Sequence, residues 1–252
     1  MNTDQASHGY LLRRPIPGTR LRLFCFHHAG AGATAFKAWP QALSPADVLP
    51  VQLPGREGRV SETRFGDMEL LVEELRKYIG PELRPPYAFY GHSMGALISF
   101  NIARAMEESG QPGPEFVAVG AAAQPDKKKF LAELLPLSDP DLAQVLVRIG
   151  GMSEFLLGYP EWRDSANALL RDDLRLYHSY QHPAGASVGC PVYAIAGRED
   201  PFLGPQEMAA WSGFTRGAFE LHEVDGGHIF IRESAEELLG LLKPLVAAHT
   251  RP

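Results

Sequence analysis

Short apolar runs of strand length alternate along this chain with stretches of helical periodicity. Leu21–His27, Val48–Leu53, Tyr87–Tyr90, Phe116–Ala122, Pro191–Ala196 and Phe219–Val224 read as six strands. Between them, helices are predicted over about Thr34–Ala42, Met68–Ile79 and Ala96–Glu108. Asp67 is placed to cap the second, whose Leu71, Leu75 and Tyr78 fall at helical spacing before Gly80-Pro81 stops it. Near the C-terminus, Ser234 and Glu237 form a capping box ahead of an apolar face of Leu238, Leu241, Leu242 and Leu245. Pro244 is expected to kink or end that helix. Strands alternating with helices imply an α/β fold, a mostly parallel sheet covered on both faces.

One interval breaks the rhythm. Ala123–Cys190 separates the fourth and fifth strands by 68 residues, where a plain crossover needs about a dozen. It holds helical patterns at about Lys127–Leu135, Pro140–Ile149 and Pro160–Gln181. An insertion at a strand's carboxyl end, where α/β sheets bind ligands, reads as a lid. The expected organisation is one domain over 1–252 with a helical lid at 124–189. Met152, Phe155, Leu156, Leu157, Tyr159 and Trp162 make part of the insertion strongly apolar. They either line a substrate site or pack the insertion onto the body; Met152, Phe155, Leu156 and Trp162 are the substrate-binding candidates.

Composition narrows the classes. Hydrophobic residues at 45% and charged residues at 21% suit a globular domain. A net charge of −6 argues against a nucleic-acid partner, which calls for a basic surface. The one dense basic run, Lys127–Lys129, is either a solvated helix start or a patch for an acidic partner. Two cysteines, Cys25 and Cys190, are too few for a disulfide framework. The first residues carry no signal-peptide pattern, and no apolar run has the length of a membrane span. A cytoplasmic protein with no membrane association is expected.

The chemistry gathers in three loops. Gly91-His92-Ser93-Met94-Gly95 matches the nucleophile elbow, a serine on a tight strand-to-helix turn. Its base is expected in the Gly-rich loop after the last strand, at His228. The orienting acid is Asp200, after the fifth strand, with Asp126 and Asp225 as competitors. An oxyanion hole would combine the Met94 N–H with one from the loop His27–Gly32, for which Ala29 is the candidate. That same loop supports a rival. Gly30-x-Gly32-x-x-Ala35 fits a dinucleotide fingerprint, with Arg56 available for a 2′-phosphate. The acid expected after the second strand is missing, and this reading leaves the elbow, Asp200 and His228 unexplained. Scattered Cys and the lack of a His-Glu-x-x-His motif argue against a metal site.

LFCFHHAGAGATAFKAW, LPGREGR, GHSMGA, GREDPF and DGGHIF together resemble type II thioesterases, stand-alone α/β-hydrolases serving polyketide and non-ribosomal peptide synthetases. PGREGR is the discriminating piece. Two departures touch the oxyanion loop: the family usually has Pro where His27 stands and Gly-Gly where Gly30-Ala31 stands. The resemblance implies Ser93 as nucleophile, Asp200 as acid, His228 as base, and Met94 and Ala29 as oxyanion donors. It implies hydrolysis of acyl groups from phosphopantetheinyl carrier proteins; a general esterase or lipase, or an acyltransferase using the same acyl-enzyme, is the alternative, and a monomer that needs no cofactor is expected. Lys127–Lys129 or Arg56, Arg59 and Arg64 are then the candidates for docking the carrier.

Overall fold

A computed structural model describes residues 9–127 and 133–250. Its strands are β1 (Arg22–Phe26), β2 (Asp47–Pro50), β3 (Tyr87–His92), β4 (Val117–Gly120), β5 (Val192–Gly197) and β6 (Phe219–Val224). They form one sheet in the order β2-β1-β3-β4-β5-β6, with every ladder parallel. Parallel strands covered on both sides need apolar residues at successive positions, and β1 to β4 have them. Side chains alternate between faces. Phe24 and Phe26 enter one core with Phe89 and Leu97, while Leu23 and Cys25 enter the other with Trp39 and Tyr90.

The helices are α1 (Trp39–Ala42), α2 (Met68–Ile79), α3 (Met94–Glu108), α4 (Asp139–Arg148), α5 (Pro160–Ser179), α6 (Pro205–Ala209), α7 (Phe230–Glu233) and α8 (Ala235–His249). The first core is roofed by α2, α3 and α5, and the second by α1 and α8. Asp67 caps α2 as its sequence predicts, its carboxylate accepting the Leu70 N–H at 3.0 Å. Chain order reverses between β1 and β3. This opens a crevice outside their carboxyl ends, where the His27–Gly32 loop and Ser93 lie.

The insertion between β4 and β5 contains α4, a 3-10 turn at Glu154–Gly158 and α5. On α5, Leu170, Leu174 and Tyr177 are buried against the body. Its Arg171 donates to the Leu135 and Leu137 carbonyls, and Asn167 to that of Asp139, so α5 carries the start of α4. The predicted helix Lys127–Leu135 falls in part outside the described residues. Its described end is a turn.

Three further differences have local causes. The helix expected over Thr34–Ala42 is a 3-10 turn at Ala33–Phe36 followed by α1. Pro40 lacks an N–H and suits only a first turn, so a new helix starts there. Pro244 neither ends nor interrupts α8. Both it and Gly240, whose carbonyl it leaves unpaired, lie on the exposed face, while Leu238, Leu242 and Val246 stay buried. Ser234 makes no side-chain cap, and Glu237 instead accepts the Asp225 N–H at 2.8 Å. Among the described residues no helix is long and apolar enough to cross a membrane.

Candidate active site

β3 ends at His92 and α3 begins at Met94, which leaves Ser93 alone in the turn. Ser93 has φ 53° and ψ −114°, a conformation costing a side-chain-bearing residue on the order of 1–3 kcal/mol. Crowding enforces it. A Cβ on Gly91 would lie 2.3 Å from the Gly95 carbonyl oxygen, and one on Gly95 would lie 2.1 Å from that of Phe26. The Ser93 N–H donates to the Gly120 carbonyl at 2.8 Å, pinning the elbow to β4.

Two other loops reach this serine. His228 Nε2 stands 3.1 Å from Ser93 Oγ, and its Nδ1 stands 2.8 Å from Asp200 Oδ2. With Nδ1–H donated to the carboxylate, Nε2 is left to accept the serine proton. The other Asp200 oxygen accepts the N–H groups of Phe202 and Leu203 at 2.9 and 3.2 Å. All three side chains are buried, with those of His228 and Asp200 exposed by 4% and 0%. The competing acids lie elsewhere. Asp225 is exposed and paired with Arg198, and Asp126 is an electrostatic neighbour of His182.

His92, beside the serine in sequence, points into the protein. Its Nε2 donates to the His228 carbonyl at 2.7 Å, and its Nδ1 accepts from the Tyr90 hydroxyl at 3.0 Å. Burial lowers its pKa to about 3, helped by repulsion from His228, so the ring is neutral at ordinary pH. Burial likewise lowers His27 to about 4 and holds His28 well below the usual range.

The loop after β1 faces the elbow. The Gly30 N–H donates to Asp173 Oδ2 on α5 at 2.8 Å, and the Ala31 N–H turns back to the His28 carbonyl at 3.2 Å. Among the described residues, no group accepts the Met94 or Ala29 N–H. Ala29 and Ser93 line one cavity. Asp173 is itself held by Arg56 through two bonds of 2.7 Å, with side chains only 4% and 2% exposed. Arg56 also donates to the Ala31 carbonyl at 3.1 Å. Sequence reasoning missed this buried pair, which grips both sides of Gly30. Its visible signal was a carboxylate within the stripe Leu170, Asp173, Leu174, Tyr177.

This geometry also changes what the arginines can do. Arg56 is buried and engaged, so it is available neither to a docked carrier nor to a 2′-phosphate. Arg59 lies over the Tyr10 ring and pairs with Glu62, and Arg64 pairs with Asp172 at 2.6 Å. The loop that resembled a dinucleotide fingerprint opens no long helix, and the Glu57 carboxylate takes the Thr34 N–H at 3.2 Å. A carboxylate there opposes a phosphate. Of the basic run, Lys128 and Lys129 lie outside the described residues.

The cavity at Ser93 measures about 30 Å³, room for about one water. Leu134, Val145, Leu146, Ile149, Gly151 and Leu170 of the insertion form its apolar wall. Met152, Phe155, Leu156 and Trp162 are not in that wall. Met152 is buried in the main core and Leu156 is half-buried against it, while Phe155 and Trp162 point into solvent.

Compared with known proteins, residues 21–245 match the thioesterase domain family. The linear gramicidin dehydrogenase LgrE of Brevibacillus parabrevis is 31% identical, covering 90% of this chain and 88% of its own. The gramicidin S biosynthesis protein GrsT of Aneurinibacillus migulanus is 33% identical, covering 87% and 86%. Among solved structures, the type II thioesterase BorB from the borrelidin biosynthetic cluster superposes with a TM-score of 0.83 at 33% identity. That match covers 96% of this chain and 98% of BorB.

Proposed function

The chain belongs to the thioesterase domain family, and on that premise we propose that it is a type II thioesterase releasing acyl groups from phosphopantetheinyl carrier proteins of a polyketide or peptide synthetase. The observation that carries this reading is the buried chain of hydrogen bonds Ser93–His228–Asp200 facing two unpartnered N–H groups. Ser93 Oγ attacks the thioester carbonyl carbon while His228 Nε2 takes its proton. The oxyanion is received by the Met94 and Ala29 N–H groups. The carbon–sulfur bond breaks, the thiol leaves with the proton from His228, and an acyl-Ser93 ester remains. Water then attacks that ester, His228 takes its proton and returns it to Ser93 Oγ, and the free acid departs. Asp200 keeps the imidazole in the right tautomer and stabilises its charged form. The reaction calls for no cofactor.

An acyl chain does not fit in about 30 Å³, so the wall made by Leu134 and α4 has to move. The insertion over 124–189 thus serves as a lid. Its hinge side is α5, anchored by Asp173, and its mobile side is α4. We take the working unit to be a cytoplasmic monomer that meets its carrier transiently. Mass spectrometry of an acyl-carrier protein incubated with wild type and Ser93→Ala tests the reading. Free acid and unloaded carrier are expected from wild type only. Equal release by both proteins would refute the mechanism, and turnover of simple oxygen esters without carrier thioesters would make the chain a general esterase.

A further inference from the structure

An acyl-serine is released only when a second nucleophile stands over its carbonyl carbon with a lone pair aimed at it. For a water molecule, His228 Nε2 can take one hydrogen. In an apolar cavity the other hydrogen then lacks an acceptor, which is unfavourable. Among the described residues lining the cavity at Ser93, His28 is the one polar side chain besides Ser93 and His228. It also borders a second cavity of about 360 Å³, which the exposed Lys37 and Arg232 mark as open to solvent. His28 therefore stands between bulk water and the reacting ester. Its ring nitrogens serve no structural bond. Nδ1 is sealed from solvent without a hydrogen-bond partner, and among the described residues Nε2 makes no hydrogen bond either. The ring packs edge-to-face on His92, with centroids 5.6 Å apart, and His92 is itself fixed by Tyr90 and the His228 carbonyl. Burial, with repulsion from His92 and His27, keeps His28 neutral, and a neutral imidazole has one acceptor nitrogen.

We propose that His28 is a catalytic residue of the second half-reaction, its Nε2 accepting one hydrogen of the attacking water while His228 Nε2 takes the other as a proton. The inference rests on the thioesterase reading above. The ring proton of His28 is then on Nδ1. The water oxygen bonds to the ester carbonyl carbon, the carbon–Oγ bond breaks, and the proton passes through His228 to Ser93 Oγ. His28 itself neither gains nor loses a proton. Attack of Ser93 on the thioester involves no water, so His28 bears on release of the acyl group and not on its capture. The contact also selects the acceptor. An alcohol carries a single hydroxyl hydrogen, which His228 takes, and nothing is left for His28. Water keeps both contacts, so hydrolysis is favoured over transfer to an alcohol.

The test follows formation and decay of acetyl-Ser93 by rapid-quench mass spectrometry, with acetyl-N-acetylcysteamine and an acetylated carrier protein as substrates. The variants are His28→Phe, which keeps a ring without an acceptor, His28→Gln, whose amide reaches the Nε2 position, and His28→Asn, whose amide reaches only that of Nδ1. Formation should stay within about threefold of wild type in all three. Decay should slow about tenfold or more in the Phe and Asn variants, the worth of one hydrogen bond, and recover in part in the Gln variant. With methanol added, the ratio of acetate to methyl acetate should fall about tenfold in His28→Phe. Unchanged decay in the Phe and Asn variants, or formation and decay slowed by one common factor, would overturn the role of His28 and leave the thioesterase reading intact. If His28→Phe does not melt as a folded protein, the other two decide, and equal decay in the Asn and Gln variants overturns the proposal. Failure of wild type to form acetyl-Ser93 from either substrate would instead sink the thioesterase reading itself.

Discussion

Removing the Asp173 carboxylate should damage stability and catalysis through separable routes. Asp173→Ala leaves the Arg56 guanidinium, 4% exposed, with carbonyl partners but no counter-charge. Breaking a buried pair in this way costs about 3–5 kcal/mol, a large share of the roughly 5–15 kcal/mol of a whole domain. For a chain of this size the melting temperature should fall by about 6–20 °C. The catalytic route runs through Gly30, whose N–H is held at 2.8 Å by the same carboxylate. Freed, the loop no longer fixes the adjacent Ala29 N–H. Losing one oxyanion donor outright costs about 10²–10³ in kcat, so loosening it should cost roughly 10- to 100-fold. The discriminating variant is the double change Arg56→Met with Asp173→Leu, which replaces the ion pair by apolar side chains. Stability should largely return, since such replacements are often neutral or favourable. Activity should not, because Gly30 still lacks its acceptor. Thermal melting and thioester hydrolysis, measured well below each melting point, read the two routes apart. A double variant with wild-type kcat, or an Asp173→Ala protein with wild-type kcat, would refute the claim that this pair positions the oxyanion loop.

Gly95→Ala, which would force a Cβ to 2.1 Å from the Phe26 carbonyl oxygen, should cost at least about 2–3 kcal/mol and abolish labelling of Ser93 by a fluorophosphonate. His92→Phe removes the donor to the His228 carbonyl; kcat should fall about tenfold or more with KM little changed, and His92→Gln should recover part of it. Stability should decline in acid from an early pH, read as denaturant midpoint against pH. His27 and His92 have folded pKa values of about 4 and about 3, below the 6.5 of the unfolded chain. The unfolded state thus takes up protons first, and the stability present above pH 6.5 is lost as pH falls toward 4 and 3. At pH 5 the loss is on the order of 2 kcal/mol for each of these two groups. A flat midpoint between pH 7 and pH 5 would count against their burial as neutral rings.

The sheet was legible because its signal is local. An apolar run such as LFCF cannot be exposed, and a glycine on each side of Ser93 marks a turn with no space for side chains. The three loops that meet at Ser93 could also be read, since a parallel sheet puts the carboxyl ends of β3, β5 and β6 on one edge whatever lies between them. What stayed hidden depends on contacts between distant segments. Arg56 and Asp173 are separated by 117 positions, and an arginine in a polar loop carries no local mark of burial. The apolar string Met152–Trp162 misled for the opposite reason. Hydrophobicity shows that a segment seeks cover, not which face finds it. Here the 3-10 turn and the first turn of α5 leave Phe155 and Trp162 outward while α4 supplies the wall.

The insertion therefore has two halves with different constraints. On α5, Asp173 is coupled through Gly30 to the loop after β1, and Asp172 to Arg64, so displacement of this helix would disturb the loop proposed to receive the oxyanion. Val145 and Leu146 near the end of α4, and Ile149 just after it, meet the cavity through apolar contacts, which re-form in many arrangements, while the start of α4 stays tied to α5 by the pair Asp139–Arg171. Acyl-chain selectivity should accordingly track the side chains of α4, while the rate of the chemical step should track α5. Val145→Ala or Leu146→Ala should shift turnover toward bulkier acyl thioesters with little change on a short one. An Asp173 change should lower turnover for every acyl chain by a similar factor. Measuring both variants across a series of acyl lengths decides the matter. A uniform loss from the α4 changes, or a length-dependent one from Asp173, would contradict the division of labour inferred from how the two helices are held.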